Sequence, residues 1–388
     1  MKKTDIKMPK LRFPEFSDEW AQNSLAGLCG MKAGSFISAN EISPKQQEKP
    51  YPCYGGNGLR GYVNKFNLKG NYTLIGRQGA HCGNVIFVKG EFYATEHAVV
   101  VYPNETISNS WLYYQLDRLN LNKFSSGQAQ PGLSVETIKT VMQFNPIVKA
   151  EQEKIAGFLT VVDEKIDILE QKIKLMQIYK KGLMQQIFSQ KLRFKDDNGQ
   201  NYPAWQTHKL DAVITKSSRK NKGAYIKLVQ SVSNKKGLID QTDQFKDHVV
   251  ASKDLSNYYV IEQSTFAYNP SRIDVGSLAY KYDNSTTVVS PLYVCFSAKS
   301  DLLVDKFLLY WFESSQFLKQ MNNSFEGSVR NTLSYESLKR MSIGTPRINE
   351  QKKIADFLIN IDVKIEAEER LLEKAKEFKK ALLQQMFV

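Results

Sequence analysis

Apolar residues recur every three or four positions along two long stretches of this chain. In the first stretch they step by alternating fours and threes, which is the spacing of a coiled-coil seam. This seam consists of Ile155, Leu159, Val162, Ile166, Leu169 and Ile173, and Lys180 interrupts its continuation. A second seam of the same kind consists of Ile354, Leu358, Ile361 and Ile365. The pattern predicts two long helices, at residues 149–191 and 348–388, that pack against each other through these stripes.

The two predicted helices are copies of one sequence. EQEKIAGFL, from residue 151, reappears as EQKKIADFL from residue 350, and KKGLMQQIF reappears as KKALLQQMF. Lys180 therefore has a counterpart in Lys379, again at a seam position where an apolar residue is expected. Such a repeat indicates that one structural unit has been duplicated.

Shorter segments outside the helices repeat as well. Residues 11–13 read Leu-Arg-Phe, as do residues 192–194, and Pro146 corresponds to Pro346. The second Leu-Arg-Phe follows the first helix directly, whereas the first one stands near the start of the chain. We therefore expect a circular arrangement, with residues 11–13 beside the end of the second helix, antiparallel helices and pseudo-twofold symmetry.

The segments between these repeats are unlike each other. Both contain short apolar runs separated by glycine or asparagine, such as residues 85–88 and 292–296, and these are typical of β-strands. The sequence predicts an α+β fold in which two long antiparallel helices, forming a coiled coil, separate two β-rich domains. The predicted boundaries are 1–148 for the first domain, 149–191 for the first helix, 192–347 for the second domain and 348–388 for the second helix.

Composition narrows the class of protein. The net charge of +13 favours a polyanionic partner, most often nucleic acid. The four cysteines show no paired spacing, as is usual in a reduced cytosolic interior. No apolar run is long enough to span a bilayer, and the charged N-terminus lacks the apolar core of a signal peptide. We expect a soluble cytoplasmic protein with no membrane partner.

Motifs that match enzyme signatures are incomplete. Residues 56–61 have the glycine spacing of a dinucleotide-binding loop, but neither the following helix nor the later acidic residue is present. Asn145-Pro146 and Asn269-Pro270 begin like a methyltransferase Asn-Pro-Pro-aromatic motif and lack the rest of it. The cysteines and histidines fit no zinc-finger spacing. We expect no catalytic residue and no metal site.

Several loop motifs and the two repeated helices resemble those of a known family. YPCYGGNG at 51–58, LIGRQG at 74–79 and SGQAQPGLS at 126–134, with the two constant helices, are similar to the specificity subunit of type I restriction–modification systems. The resemblance covers essentially the whole chain, although GSVRNTLS at 327–334 replaces the Gln-Pro form of the first loop.

The resemblance implies a role without catalysis by this chain. Two target-recognition domains would each read one half of a bipartite target in double-stranded DNA, while the helices dock two methyltransferase (modification) subunits. The resemblance also implies that restriction/translocase subunits join this core. The cofactor S-adenosylmethionine would belong to the partner methyltransferase, and this chain would hold none.

Base reading requires side chains that present paired donors or acceptors, so Arg, Lys, Gln and Asn on domain loops are the candidates. In the first domain the predicted DNA-binding residues are Lys45, Gln46, Gln47, Tyr54, Asn57, Arg60, Arg77, Gln78, His81, Gln128 and Gln130. In the second they are Ser217, Arg219, Lys220, Lys222, Asn234, Lys235, Asn269, Arg272 and Arg330. Arg77, Gln78 and Arg272 are predicted to read bases, and Lys220 and Lys222 to hold phosphates.

Helix length limits the distance between the two halves of such a target. A helix of about 38 residues is roughly 57 Å long, which equals about 17 base pairs. Two readers on one side of a duplex favour major grooves about one turn apart. The prediction is a split site with an unread spacer of several base pairs.

Two other classes of function remain open at this point. The chain could be a coiled-coil protein-interaction scaffold without specific DNA binding, in which case its charge is incidental. An enzyme is the third possibility. DNA binding with a steep dependence on salt separates a reader from a scaffold, and methylation by this chain without a partner subunit would identify an enzyme.

Overall fold

The computed structural model describes residues 8–79, 81–127, 131–234, 237–241, 254–325 and 332–388. The chain forms two compact units. Unit 1 contains Met1–Gln171 and Glu369–Val388, and unit 2 contains Lys172–Glu368. The boundaries of the units fall inside the two long helices, so each unit contains one part of each helix.

Unit 1 is built on a six-stranded sheet with the order β2-β7-β5-β6-β3-β4. Its neighbouring strands are antiparallel except β3 and β6, and β1 pairs separately with β8. The strands are β1 (Ala21–Ser24), β2 (Cys29–Ala33), β3 (Tyr51–Gly55), β4 (Gly58–Val63), β5 (Leu68–Gly76), β6 (Val85–Ala94), β7 (Ala98–Pro103) and β8 (Met142–Asn145). The helices are α1 (Leu25–Leu28), α2 (Asn109–Arg118), α3 (Val135–Lys139) and parts of α4 (Lys149–Phe188) and α9 (Ile348–Gln385), with 3-10 turns at Ala39–Glu41, Gln46–Glu48 and Leu121–Phe124.

Unit 2 has a four-stranded sheet with the order β10-β17-β14-β15 and three strand pairs, β11-β12, β13-β16 and β9-β18. The strands are β9 (Gln206–Lys209), β10 (Ile214–Ser217), β11 (Gln230–Ser233), β12 (Gly237–Asp240), β13 (Tyr259–Ile261), β14 (Phe266–Tyr268), β15 (Leu278–Tyr280), β16 (Thr287–Val289), β17 (Val294–Ala298) and β18 (Ser342–Thr345). The helices, besides the remaining parts of α4 and α9, are α5 (Leu210–Val213), α6 (Asp305–Phe312), α7 (Ser315–Asn322) and α8 (Tyr335–Lys339), with a 3-10 turn at Ile273–Val275.

Within each unit the two long helices run antiparallel, as predicted. In unit 1, Asp163 pairs with Lys379 at 2.7 Å, and Glu170, further along α4, pairs with Lys376, earlier in α9. The corresponding ion pairs of unit 2 are Lys180–Asp362 at 2.8 Å and Lys172–Glu368 at 2.5 Å. In each unit, the ion pair that lies later along α4 lies earlier along α9, so the two helices run in opposite directions.

The predicted seam lies in the interior of each unit. The buried seam residues are Ile155, Leu159, Ile166 and Leu169 in unit 1, and Ile173, Ile354, Leu358 and Ile365 in unit 2. Val162 and Ile361 are partly buried. The ends of the seam also enter the domain cores, because Ile155 and Leu159 share one apolar cluster with Trp111 and Leu112 of α2. The helices are therefore packed into the domains as well as against each other.

The circular arrangement is confirmed in unit 1. The amide N–H of Leu11 donates to the carbonyl of Gln385, near the end of α9, at 2.9 Å. In unit 2, where the chain is continuous, the N–H of Leu192 donates to the carbonyl of Gln186 at 3.1 Å. The same contact is thus made once within a continuous segment and once between residues far apart in the sequence. Among the described residues, no helix has the length and apolar character needed to cross a membrane.

Candidate nucleic-acid interface

Two backbone segments of unit 1 approach each other too closely for side chains. Gly56 lies in the turn between β3 and β4, and Gly76 is the last residue of β5. A Cβ atom on Gly76 would lie 2.0 Å from the carbonyl oxygen of Gly56, so position 76 accepts only glycine without a backbone shift, and a Cβ atom on Gly56 would lie a tight 3.0 Å from the carbonyl oxygen of Gln78. The turn is therefore held against the end of the central strand.

A third segment fixes the loop that follows β5. The N–H of Gly79 donates to the carbonyl of Pro131, and the N–H of Leu133 donates to the carbonyl of Arg77, both at 2.9 Å. These bonds position residues 77–79 between the hairpin turn and the loop that precedes α3. Three segments that are distant in the chain therefore meet at one place: YPCYGGNG, LIGRQG and the end of SGQAQPGLS.

The meeting point is a concave site of about 420 Å³. Its lining combines exposed polar side chains with glycine backbone and consists of Gly55, Gly56, Asn57, Gly58, Leu59, Arg60, Gln78, Gly79 and His97. Asn57, Arg60 and Gln78 were predicted, whereas Leu59 and His97 were not. An exposed leucine beside a glycine turn was the available signal for Leu59, while nothing in the sequence separates His97 from an ordinary turn histidine.

The other predicted residues of the first domain lie elsewhere. The side chain of Arg77 is exposed beside the site, and His81 is exposed two residues after Gly79. Tyr54 is partly buried, its ring 5.7 Å from that of Phe92, and burial raises the pKa of its phenol. Lys45, Gln46 and Gln47 are exposed at the 3-10 turn before β3 and do not line the concave site.

Unit 2 contains an equivalent loop that sequence comparison within the chain did not reveal. The N–H of Leu333 donates to the carbonyl of Pro270 at 3.0 Å, as that of Leu133 does to Arg77. The loop after β14 therefore corresponds to the loop after β5. It forms a concave site lined by Asn269, Pro270, Ser271, Arg272 and Leu292. Asn269 and Arg272 were predicted, and the exposed Leu292 was not.

The basic run of unit 2 is partly engaged with its own domain. Arg219 pairs with Glu262 at 2.6 Å, and the Lys220 ammonium donates to Asn257 at 3.2 Å. Lys222 and Asn234 are exposed, and Ser217 is half-buried at the end of β10. Four further predicted residues, Gln128, Gln130, Lys235 and Arg330, lie outside the described residues.

The chemistry of the first site is that of hydrogen bonding to a ligand. Burial raises the pKa of the nearby Cys53 thiol to about 11, and Arg60 partly opposes that rise, so the thiol is neutral near pH 7. Within the ranges that the structure describes, no group of His, Cys, Asp or Glu side chains is arranged to hold a metal ion. Asn57, Arg60 and Gln78 offer paired donors and acceptors of the kind that recognise base edges.

A second surface lies on the outer faces of the long helices. Apolar side chains that are more than half exposed recur at seven-residue intervals along α4, a spacing that places them on one side of the helix. These are Val161 and Ile168 in unit 1 and Leu175 in unit 2, and α9 adds Leu371 and Phe378 in unit 1. Exposed apolar residues in such a row are typical of a surface that binds another protein.

Fold and sites together define a class of protein: a recognition protein with two copies of a domain, each of which presents a polar concave site on loops. The family model for the type I restriction modification DNA specificity domain matches residues 17–177 and again residues 186–377. The chain belongs to this family.

Relatives in the family cover different shares of the chain. A type I restriction enzyme EcoprrI specificity subunit of Escherichia coli is 44% identical over 154 residues, which is 39% of this chain and 38% of that subunit. The MjaVIII specificity subunit of Methanocaldococcus jannaschii is 23% identical over 81% of this chain and 77% of its own length.

Solved structures agree with the fold over almost the whole chain. The crystal structure of the type I restriction–modification S subunit from M. genitalium superposes with a TM-score of 0.67 at 16% identity, covering 98% of this chain and 99% of that one. A chain from a structure of type I system complex assembly superposes with a TM-score of 0.50 at 13% identity, covering 95% and 97%. At these identities the likeness concerns the fold.

Proposed function

We propose that this chain is the DNA sequence-specificity subunit of a type I restriction–modification complex and has no catalytic activity of its own. Each domain reads one half of a bipartite target in duplex DNA. The observation that carries the proposal is the equivalent loop site in both units, anchored by Leu133 in one and Leu333 in the other. Unlike side chains on equivalent loops are what a protein needs to read two different half-sites.

The two kinds of predicted contact have different chemistry. Gln78, Asn57 and Arg60 line one site and Arg272 the other, and their side chains can form two hydrogen bonds to one base. Lys220 and Lys222 are exposed and do not line the concave site. Contacts from such lysines to phosphates position a protein without reading sequence.

The partners follow from the outer helix surface and from the family. We propose that the exposed apolar row of α4 and α9 docks two methyltransferase subunits, which bind S-adenosylmethionine, and that restriction/translocase subunits join this assembly. The location that fits these partners is the cytoplasm.

Duplex binding is the first test of the proposal. The purified chain, alone and with its cognate methyltransferase, is titrated with duplex DNA at several salt concentrations. A reader that contacts several phosphates loses affinity steeply as salt rises. Binding that is absent, or unaffected by salt, would instead support the protein-interaction scaffold.

Sequence reading is tested by comparing two substitutions. Gln78→Ala should weaken cognate binding by about 1–3 kcal/mol and relax specificity in one half-site only, since a base contact is lost. Lys220→Glu should weaken binding to all sequences about equally. Methylated sites mapped by sequencing in cells that carry each variant and the methyltransferase distinguish the two. A changed target for Lys220→Glu would contradict its assignment to phosphate.

Docking is tested on the helix surface of unit 1. Val161→Lys with Ile168→Lys should reduce the two methyltransferase subunits that copurify with the chain to at most one, and should leave thermal unfolding unchanged because both side chains are exposed. Asp167→Lys, an exposed change about 100° round the same helix from Ile168, serves as the charge control. Retention of both methyltransferase subunits by the double variant would exclude this face as the docking surface.

A further inference from the structure

The two lysines that interrupt the seam have acidic partners on the opposite long helix of their own unit. In unit 2, the Lys180 ammonium lies 2.8 Å from Asp362 of α9, and also 3.1 Å from Glu313, which directly follows α6. In unit 1, the Lys379 ammonium lies 2.7 Å from Asp163. Lys180 is on α4 and Asp362 on α9, whereas in unit 1 the helices exchange these roles.

A tyrosine from the domain completes each cluster. The hydroxyl of Tyr310 in α6 donates to Asp362 at 2.6 Å, and the Lys180 ammonium lies 4.9 Å from the centre of the same ring. In unit 1 the hydroxyl of Tyr114 in α2 donates to Asp163 at 2.8 Å. Lys379 lies 5.7 Å from the Tyr114 ring. Each cluster therefore joins three elements: both long helices and the helix of the domain.

These clusters are partly shielded from water. The lysine side chains are only 14% and 20% exposed, whereas the ion pair Lys376–Glu170 between the same two helices is about half exposed. Burial by itself lowers the pKa of Lys180, but Glu313 and Asp362 reverse the effect, so its pKa is raised and the ammonium stays charged.

A shielded charged group at a seam position selects one alignment of two helices. Apart from Glu368, which is 17% exposed and pairs with Lys172, the remaining seam is mainly apolar. Apolar seam residues also interdigitate after a slide of one turn, because alternate seam positions are then exchanged. The same slide would separate lysine from aspartate by about 5.4 Å and leave both charges in a poorly hydrated place, which is costly.

We propose that the residues of the Lys180–Asp362–Tyr310 and Lys379–Asp163–Tyr114 clusters are positioning residues. They fix the register of the helix pair and the position of each domain on that pair, and thereby the spacer length that the protein accepts. The spacer part of this inference rests on the proposed function. The register part does not involve DNA.

Cross-linking tests the register directly in unit 1. Glu170→Cys with Lys376→Cys reports the native alignment, and Glu170→Cys with Glu373→Cys reports a shift of one turn. The native thiols are buried, so a short bismaleimide reacts with the introduced ones. The intact cluster should give a cross-link only in the first pair. With Lys379→Leu and Asp163→Leu, the pair Glu170→Cys with Glu373→Cys should form a cross-link as well. Lys379→Arg keeps the ion pair and should therefore behave like the intact chain.

Spacer selectivity is measured with the full chain and its cognate methyltransferase on duplexes whose spacer is lengthened or shortened by one base pair. The Lys379→Leu/Asp163→Leu and Lys180→Leu/Asp362→Leu chains should lose about tenfold of the discrimination against wrong spacers, which corresponds to 1.4 kcal/mol. Affinity for either half-site alone and thermal stability should be retained, since apolar replacement of a shielded ion pair is usually tolerated. The matched control is Lys376→Leu with Glu170→Leu.

The outcomes separate the two levels. An unchanged cross-link pattern in the leucine variant overturns the assignment of register, and a shifted register with unchanged spacer selectivity overturns its link to recognition. If the intact complex reads no split site, the proposed function fails, and the cross-links alone then decide whether the clusters set the register.

Discussion

At the scale of single residues, the repeated Glu-Gln pair that opens each long helix proves to be interior. Glu151 is 1% exposed and accepts two hydrogen bonds from Arg12, at 2.7 and 2.8 Å, and one from Trp20. Glu350 accepts the same bonds from Arg193 and Trp205. The sequence predicted the repeat but gave no sign that these acids are buried, because a charged residue in a helix is ordinarily on its surface.

Removal of the arginine tests this network. Arg12→Met should lower the free energy of unfolding by about 3–5 kcal/mol, because it leaves a buried carboxylate without its partner. Lys154→Met, which removes an exposed ion pair with Glu15, should cost less than about 1 kcal/mol. Denaturant unfolding of both variants makes the comparison, and equal small losses would mean that the buried pair contributes little.

The raised pKa values of the buried cysteine thiols predict that the stability of the protein depends on pH. Burial raises the pKa of the thiols of Cys53 to about 11 and of Cys29 and Cys295 to about 12. The native state therefore holds these protons more tightly than the unfolded chain does. Their contribution to stability is complete below the ordinary thiol pKa and is lost as pH rises towards 11 and 12. Unfolding measured between pH 8 and 10 should show this decline, with a smaller slope in Cys53→Ala. Fast modification of native thiols at pH 8 would contradict it.

At the scale of elements, periodicity identified the long helices because a helix of 40 residues with one apolar face contains many repeats of its pattern. The strands of unit 2 were harder to predict, since β13, β14, β15 and β16 have three residues each and contain less than two periods of the strand pattern. The effect of replacing a glycine differs between a long helix and the end of a strand.

Two glycine substitutions should have opposite effects. Gly182→Ala lies in α4, where a Cβ atom meets nothing within 4 Å, and the second copy already has Ala381 there. It should stabilise the protein by about 0.5–1 kcal/mol. Gly76→Ala should be strongly destabilising and should impair recognition of one half-site, because the Cβ atom collides with the Gly56 carbonyl. Thermal unfolding compares them, and a stable Gly76→Ala chain would show that the hairpin turn moves freely.

At the scale of the whole molecule, duplication is the property from which the proposed function follows. Each long helix contributes residues to both units. Under the proposed function, we expect helix length to limit the distance between half-sites. This expectation is independent of which bases are recognised.

A coordinated insertion tests the role of helix length. One heptad added after Gln171 and another after Glu368 keeps the seam in phase and lengthens both helices by about 10.5 Å, or about three base pairs. The mapped target should keep both half-sites and gain a spacer longer by about that amount. Insertion into α4 alone should abolish binding, since the two helices then no longer match. An unchanged spacer in the double insertion would contradict a ruler made of helices.

The sequence by itself determined the duplication, the antiparallel helix pair and the circular closure through residues 11–13. It could do so because repeats and seams are patterns in the order and spacing of residues along the chain. Tertiary structure alone decided which loop residues share a site and which polar residues are interior. Gln78 meets Asn57 and Arg60 only through the contact of Gly56 with Gly76, and Lys180 meets Asp362 only once the helices are aligned. Such encounters depend on packing between distant segments, for which spacing along the chain carries no signal.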